Sequence, residues 1–260
     1  MNKSFIRTDN YNKVAAAVDA LVNRERGLHG LGLFYGRAGY GKTSVVDHYY
    51  GAGETMYIRL MQTWGRRRLL EELCEIMRLG PPIYRIDRLT DQVISGFNRW
   101  RKPLFLDEAD YLFREGGNAM LDVVRDIHDA TQVPIVLIGM EAILGKLQRY
   151  DQIFSRILPA GMVEFLPLSI PEIVMITKSW TGLLIGPEAA EMLGRYAAYD
   201  FRYIVGYLVT LEEACKVNAV TTVSPKMIEA AIGKAEKVSK RMYGITDAKD
   251  IRVLGKNHAN

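Results

Sequence analysis

Short apolar runs alternate with stretches of helical periodicity through the first two-thirds of the chain. Leu31-Gly32-Leu33-Phe34-Tyr35, Thr55-Met56-Tyr57-Ile58-Arg59-Leu60, Leu104-Phe105-Leu106, Val133 to Ile138 and Met162 to Phe165 are each a few residues long and nearly free of charge. Runs of that length and composition fit buried parallel strands. Between them lie helix-forming segments. One starts near Thr8 and Asp9 and runs to about Arg26, with Val14, Val18, Leu21 and Val22 at helical spacing. Others span Ser44 to Tyr50, Leu69 to Leu79, Thr90 to Trp100, Ala119 to Thr131 and Ala142 to Tyr150. Strands alternating with helices predict an α/β fold, a parallel sheet with helices on both faces.

From Ser169 the pattern changes to helices alone. Pro171 and Gly186-Pro187 open two of them, Phe201 to Asn218 forms a third and Ser224 to Lys240 a fourth. The expected organisation is an α/β subdomain over 1–168, a small all-helical lid over 169–240 and a polar, flexible tail over 241–260. No internal repeat or low-complexity tract interrupts it.

Composition narrows the class. At 260 residues, 48% hydrophobic and 25% charged, the chain has ordinary globular proportions, room for one or two domains, and a net charge of +4 that permits nucleic-acid contact without requiring it. Cys74 and Cys215 lack metal-ligand spacing and read as buried thiols in a reducing compartment. With no apolar signal core after Met1 and no run long enough to span a bilayer, the expectation is a soluble, cytoplasmic protein.

The chemistry is concentrated in two stretches. Gly36-Arg37-Ala38-Gly39-Tyr40-Gly41-Lys42-Thr43, followed by Ser44, sits between a strand and a helix. Glycines there let backbone N–H groups converge on a phosphate at a helix N-terminus, whose dipole favours anions. Lys42 reaches the β- and γ-phosphates, and the Thr43 hydroxyl ligates Mg²⁺. The second stretch is Leu104-Phe105-Leu106-Asp107-Glu108-Ala109-Asp110. Asp107, at the strand end, is placed to hold the Mg²⁺ shell, and Glu108 to polarise an attacking water. The expected cofactors are therefore ATP and Mg²⁺. The Asp-Glu-Ala-Asp tetrapeptide does not by itself make a helicase, since the chain is too short for two motor domains.

With those motifs in place, the chain resembles the AAA+ ATPases of the transposition-regulator group, which includes the phage Mu B protein, TnsC, TniB and IstB. The resemblance covers roughly residues 5 to 235. Its more discriminating part is Leu137-Ile138-Gly139-Met140-Glu141-Ala142-Ile143-Leu144 with Arg149-Tyr150 and Ser155-Arg156-Ile157. The resemblance implies an AAA+ P-loop core followed by a helical lid. It implies that Arg156, with Arg149 as second choice, reaches the ATP of a neighbouring subunit, and that Arg202, in Asp200-Phe201-Arg202-Tyr203-Ile204, reaches the γ-phosphate of its own. Phe5, Ile6 and Arg7 stand where such proteins often build an adenine pocket, or form a packed N-terminal arm. One departure is visible: the strand ending at Ile138 is followed by Gly139-Met140, without the usual polar side chain, which implies slow hydrolysis.

What the resemblance implies for function is an ATPase that assembles as a ring or filament on duplex DNA and presents it to a transposase. Partners from this reading are duplex DNA, a transposase and further copies of the chain. Trp64, Arg66, Arg67 and Arg68, read as a loop with an exposed tryptophan, and Arg85 and Arg88 beyond Pro81-Pro82 are the expected contacts to the DNA backbone. A helicase-loader-like or secretion-associated ATPase acting on a protein client remains open on the same fold.

Overall fold

The computed structural model describes residues 5–51, 53, 55–113 and 119–233. By their contacts these form two units, Asp9–Leu166 and a second made of residues 5–8 with 167–233. The expected tail over 241–260 and the end of the fourth lid helix lie outside the described residues.

The first unit carries, in order, α1 (Asp9–Val22), β1 (Leu31–Tyr35), α2 (Lys42–Gly51), β2 (Met56–Arg59), α3 (Arg66–Met77), α4 (Ile86–Trp100), β3 (Leu104–Asp107), a 3-10 turn (Ala109–Leu112), α5 (Ala119–Thr131), β4 (Ile135–Gly139), α6 (Ile143–Leu147), α7 (Asp151–Phe154) and β5 (Ile157–Glu164). The strands form one sheet in the order β2-β3-β4-β1-β5, and every pairing is parallel.

Strand geometry divides the core in two, because successive side chains leave a strand on opposite faces. Leu31, Leu33, Met56, Ile58, Leu104, Leu106, Ile135 and Leu137 face one way and pack with α3, α4 and α5 through Leu70, Leu73, Val93, Phe97 and Ile127. Phe34, Phe105, Val136, Ile138 and Val163 face the other, against Val14, Ala17 and Leu21 of α1 and Val45 and Val46 of α2. Both faces are apolar, so the strands read as continuous hydrophobic runs and not as alternating ones.

The second unit holds α8 (Ile170–Thr181), β6 (Leu184–Ile185), α9 (Pro187–Tyr196), α10 (Phe201–Val217), β7 (Thr222–Val223) and a helical stretch over 225–233. Its core is Ile173, Ile176, Leu193, Ile204, Leu208, Leu211, Ile228 and Ile232, and Ile6 packs against it. A capping box starts α8: the Ser169 N–H and Oγ both donate to Glu172 Oε2 at 2.7 Å. The parallel pairing of β6 with β7 corrects the expectation of helices alone. Two-residue strands are too short to leave a periodic signal.

Several boundaries also differ from the sequence reading. The first helix stops at Val22 because Arg24 turns back, its Nη1 donating to Leu21 O at 2.7 Å and its Nε to Leu28 O at 2.9 Å. Helix α3 starts at Arg66 after an extended Gly65, so the three arginines form its first turn and not a loop. Helix α4 starts at Ile86, four residues early, and the expected helix over 142–150 shortens to α6, with the separate short helix α7 following Tyr150. Strand β5 begins at Ile157, where Pro159, Ala160 and Gly161 hid it by interrupting the apolar run.

One buried polar residue locks the start of the sheet. His128 on α5 is fully buried, its Nε2 accepting from the Gly30 N–H at 3.1 Å and its Nδ1 facing Val133 O at 2.9 Å. The imidazole is therefore neutral with its proton on Nδ1. Burial pushes its pKa below the ordinary 6.5, and nearby Arg24 adds to this. The unfolded chain thus takes up a proton that the folded chain refuses, so the stability from this site is full above pH 6.5 and lost as pH falls through the folded value. Thermal unfolding is expected to move to lower temperature between about pH 7 and 5.5, by at most ~1.4 kcal/mol per pH unit. His128→Gln is expected to flatten that dependence.

Candidate functional site

The phosphate-loop segment leaves the sheet at the end of β1. Gly36 has φ +153°, and a Cβ there would stand 2.7 Å from the carbonyl oxygen of Phe165, so only glycine fits. The loop closes into α2, with the Val45 N–H donating to Gly41 O at 3.1 Å. Lys42 Nζ donates to Gly36 O at 2.6 Å and Arg37 O at 2.9 Å, so the ammonium bridges the backbone of its own loop. Thr43 and Ser44 occupy the first turn of α2. A helix N-terminus, a glycine-rich turn and an ammonium thus converge on one place, the combination that binds phosphate.

Asp107 ends β3, is only 4% exposed, and gathers three donors. Its Oδ2 accepts from Thr43 Oγ1 at 3.2 Å and Tyr57 OH at 2.8 Å, and its Oδ1 accepts from the Glu108 N–H at 2.8 Å. Burial, reinforced by the hydrogen bond to Asp107, pushes the Tyr57 phenol pKa upward, so it stays a donor. Burial and the neighbouring Asp107 charge likewise push Asp47 up. Hydroxyl and carboxylate oxygens held this close suit a hard cation such as Mg²⁺. Thr43 and Asp107 are the residues that would hold it.

Glu108 sits in the left-handed region with φ 55°, a backbone conformation that side-chain-bearing residues adopt at a cost of about 1 kcal/mol. Its carboxylate takes an ion pair from Arg59 at 3.0 Å. That pairing raises the Arg59 pKa. Neither Tyr57 nor Arg59 stands out in the sequence. Register is the missing information: Arg59 pairs with Asp107 across β2 and β3, which brings two charged strand ends together.

At the end of β4 the absent polar side chain has a structural explanation. The Asp110 carboxylate fills the space beside Gly139, with Oδ2 accepting the Met140 N–H at 2.6 Å and Oδ1 the Lys146 ammonium at 3.0 Å. A Cβ at Gly139 would come 2.7 Å from Asp110 Oδ2 and 2.5 Å from Ile143 Cδ1. Arg37, Ala38, Met140, Glu141 and Ala142 line an open groove between the phosphate-loop tip and this turn.

Of the remaining candidates, Arg156 and Arg202 have partners of their own. Arg156 precedes β5 and forms a two-pronged ion pair with Asp129, Nε to Oδ1 at 2.7 Å and Nη2 to Oδ2 at 2.6 Å, while Nη1 donates to Gln152 O. That bond holds the Asp129 carboxyl below its usual pKa. Arg149 is exposed on the turn between α6 and α7. In the second unit, Arg202 folds onto Asp200, the N-cap of α10, with Nη2 to Oδ2 at 2.8 Å.

Trp64 requires correction: it is 8% exposed and part of the hydrophobic core, so its ring offers no face to a nucleic-acid base. Arg68 instead lies over that ring at 5.3 Å and pairs with Glu72 and Glu75. Arg67 pairs with Glu71 at 2.8 Å, stacks on Tyr84 and donates to its carbonyl. Arg85 pairs with Asp87 and Arg88 with Asp91. Arg66 is exposed, with no ion pair among the described residues.

Strand order, phosphate loop and acidic strand end together define the AAA+ P-loop NTPase fold. Residues 25–147 match the family described as "AAA domain". Among curated proteins, a "Potential ATP-binding protein" of Staphylococcus aureus is 23% identical over 271 residues, spanning 88% of this chain and 96% of that protein. Among solved structures, Cdc6p from Pyrobaculum aerophilum aligns with a TM-score of 0.63 at 15% identity, covering 88% of this chain and 69% of that one. The Aeropyrum pernix ORC1 protein in complex with DNA aligns with a TM-score of 0.57 at 18% identity, covering 92% and 68%. The likeness to these solved structures bears on the fold, and the family match together with the relative's name supports ATP binding.

The crowding at Gly139 generates a direct test. Gly139→Ser is expected to destabilise the fold by ~1–3 kcal/mol, the usual range for an overpacked site. Asp110→Ala in the same chain is expected to return part of that loss, because it removes one of the two groups the new side chain meets. A double-mutant cycle by thermal unfolding measures the coupling. Strictly additive effects would show that the carboxylate is not what excludes a side chain there.

Proposed function

We propose that the chain is an ATP-dependent, sequence-tolerant DNA-binding ATPase that switches slowly between nucleotide states. Like the transposition regulators it resembles, it would assemble on duplex DNA and deliver that DNA to a transposase. The observation that carries the ATPase reading is the Lys42 loop with the contact of Thr43 to the buried Asp107 and Glu108 beside it. Lys42 would exchange its two loop carbonyls for the β- and γ-phosphates. Thr43 and Asp107 would hold Mg²⁺, which would supply charge neutralisation at the phosphates. Glu108 orients and polarises the water that attacks the γ-phosphorus, while the bond to the bridging oxygen of ADP breaks. To do so it must leave Arg59. An exposed pair of this kind is worth on the order of 1 kcal/mol or less, so release is feasible but not free.

Arg156 is unsuited to its own chain's nucleotide. Its carbonyl accepts from the N–H of Leu31, where β1 begins, whereas the loop follows β1's other end. Five strand residues, at ~3.3 Å each, separate the two. That separation supports action on a neighbouring subunit. Arg202, tied to Asp200 and mostly exposed, is the proposed γ-phosphate contact in cis.

The DNA reading rests on the paired starts of α3 and α4. Arg67 reaches Tyr84, just before α4, so the two helix beginnings are neighbours, and neither Gly65 nor Arg85 supplies a side-chain cap. Uncapped N–H groups with Arg66, Arg67, Arg85 and Arg88 around them favour phosphate. The acidic partners of Arg67, Arg85 and Arg88 form exposed pairs that a phosphate can replace at little cost. The ORC1 protein among the structural neighbours is itself described in complex with DNA.

Two experiments test this. Arg156→Ala is expected to bind ATP normally but hydrolyse it poorly, by ~10³-fold if it completes a neighbour's site. Glu108→Gln should also bind without turnover, and mixing the two variants should recover activity at interfaces where both groups are intact. A mixture as inactive as its parts would exclude action in trans.

Changing Arg66, Arg67 and Arg68 together to Ala is expected to weaken duplex binding similarly for unrelated sequences in ATP. The slope of log affinity against log salt should shrink by roughly one unit for each phosphate that the variant no longer neutralises. Equal slopes for wild type and variant would move the DNA-binding surface off α3.

A further inference from the structure

Asn10, near the start of α1, is 5% exposed and makes hydrogen bonds to two distant pieces of backbone. Its Nδ2 donates to Leu166 O at 2.7 Å and to Tyr40 O at 3.4 Å. Its Oδ1 accepts the Leu166 N–H at 3.1 Å. One side chain therefore satisfies both backbone groups of Leu166, as a neighbouring strand would. It also reaches the carbonyl of Tyr40 inside the phosphate loop.

Leu166 is the last residue of the first unit, and the chain passes through Pro167 into the second. A second contact runs the same way. Phe165 donates its N–H to Tyr35 O at 2.7 Å, and Gly36 packs so closely on Phe165 that a Cβ would stand 2.7 Å from its carbonyl oxygen. Two points of the loop thus bear on residues 165 and 166, Gly36 directly and Tyr40 through Asn10.

We propose that Asn10 is a positioning residue that couples nucleotide occupancy of the phosphate loop to the segment leading into the helical unit; this rests on the nucleotide reading given above. The three hydrogen bonds of Asn10 are unequal. The two to Leu166 have ordinary lengths, while the one to Tyr40 is long and is the one a moving loop alters. Phosphate binding draws Lys42 away from the carbonyls of Gly36 and Arg37 and rearranges the turn that carries Tyr40. A buried amide cannot drop a partner for water without cost, so Asn10 moves with the Tyr40 carbonyl and carries Leu166 with it. A structural staple would hold the two segments equally in both nucleotide states; a coupler transmits the difference.

The test compares wild type with Asn10→Asp and Asn10→Leu. The aspartate keeps an acceptor for the Leu166 N–H but loses both donated bonds; the leucine keeps bulk and loses all three. Affinity for a non-hydrolysable ATP analogue is measured together with hydrogen exchange at the Leu166 amide, with and without the analogue. In wild type the analogue is expected to change that exchange rate on the order of 10-fold, a usual size for coupling between sites. Both variants are expected to bind the analogue but lose most of that response. The aspartate variant, folded by its thermal transition, serves if the leucine variant does not fold.

A wild-type protein that binds the analogue with an unchanged Leu166 rate overturns the coupling and leaves the nucleotide site standing. Variants that respond as fully as wild type also overturn it. Failure of the wild type to bind overturns the nucleotide reading, and the coupling with it.

Discussion

The Asp107 carboxylate is the interaction on which the centre of this molecule depends. It is nearly inaccessible to water, yet one of its oxygens receives the hydroxyls of Thr43 and Tyr57 and the other the N–H of Glu108. Those donors come from α2, β2 and the segment after β3. A buried carboxylate is tolerable only when its lone pairs are occupied, so these elements are held to a common arrangement by one charge. Asp47, close enough to feel that charge, is made harder to ionise by it and by its own burial. A hard cation would relieve this concentration of oxygen ligands, which makes the site expectant in a thermodynamic sense.

Sheet architecture makes such convergence possible without a long loop. In a parallel sheet all strand C-termini lie along one edge, and functional residues collect there. Here β1 delivers the phosphate loop, β2 delivers Arg59, β3 delivers Asp107 and Glu108, and β4 delivers the Met140 turn to the same edge. The opposite edge is given to stabilising contacts, the neutral His128 and the Arg156–Asp129 pair. An arginine at that opposite edge has an obvious structural use in the single chain, its ion pair with Asp129, and the proposed action on a phosphate loop would need a second copy of the chain.

Much of this is legible in the residues, and the parts that are not share a cause. The five strands, the loop from Gly36 to Thr43 and the acids Asp107 and Glu108 announce themselves because each is a contiguous pattern. Tyr57, Arg59 and Asn10 do not, since each acquires its meaning from a partner 30 or more residues away. Trp64 misleads for a related reason: the three following arginines suggest an exposed loop, whereas they start a helix whose glutamates answer their charge one turn on. Local charge runs say little about exposure until the helix phase is fixed. Gly139 is the converse case. The missing polar side chain is visible in the sequence, but its reason is the space taken by the Asp110 carboxylate, from the turn after β3, and by Ile143.

The tetrapeptide from Asp107 to Asp110 therefore has its three acids in three different bonds, and this bears on how fast the protein can turn over. Asp107 is fixed by hydroxyls, Glu108 is paired with Arg59, and Asp110 is spent on the Met140 backbone and Lys146. Of the three, only Glu108 combines a half-buried side chain, a mostly exposed partner and a left-handed backbone that lifts it off the strand direction. It is thus the one acid able to change partner without dismantling the sheet edge. Under the proposed reading, a base that must first leave an arginine, beside a β4 turn that offers a carboxylate-bound backbone in place of a water-holding side chain, would favour keeping ATP over consuming it.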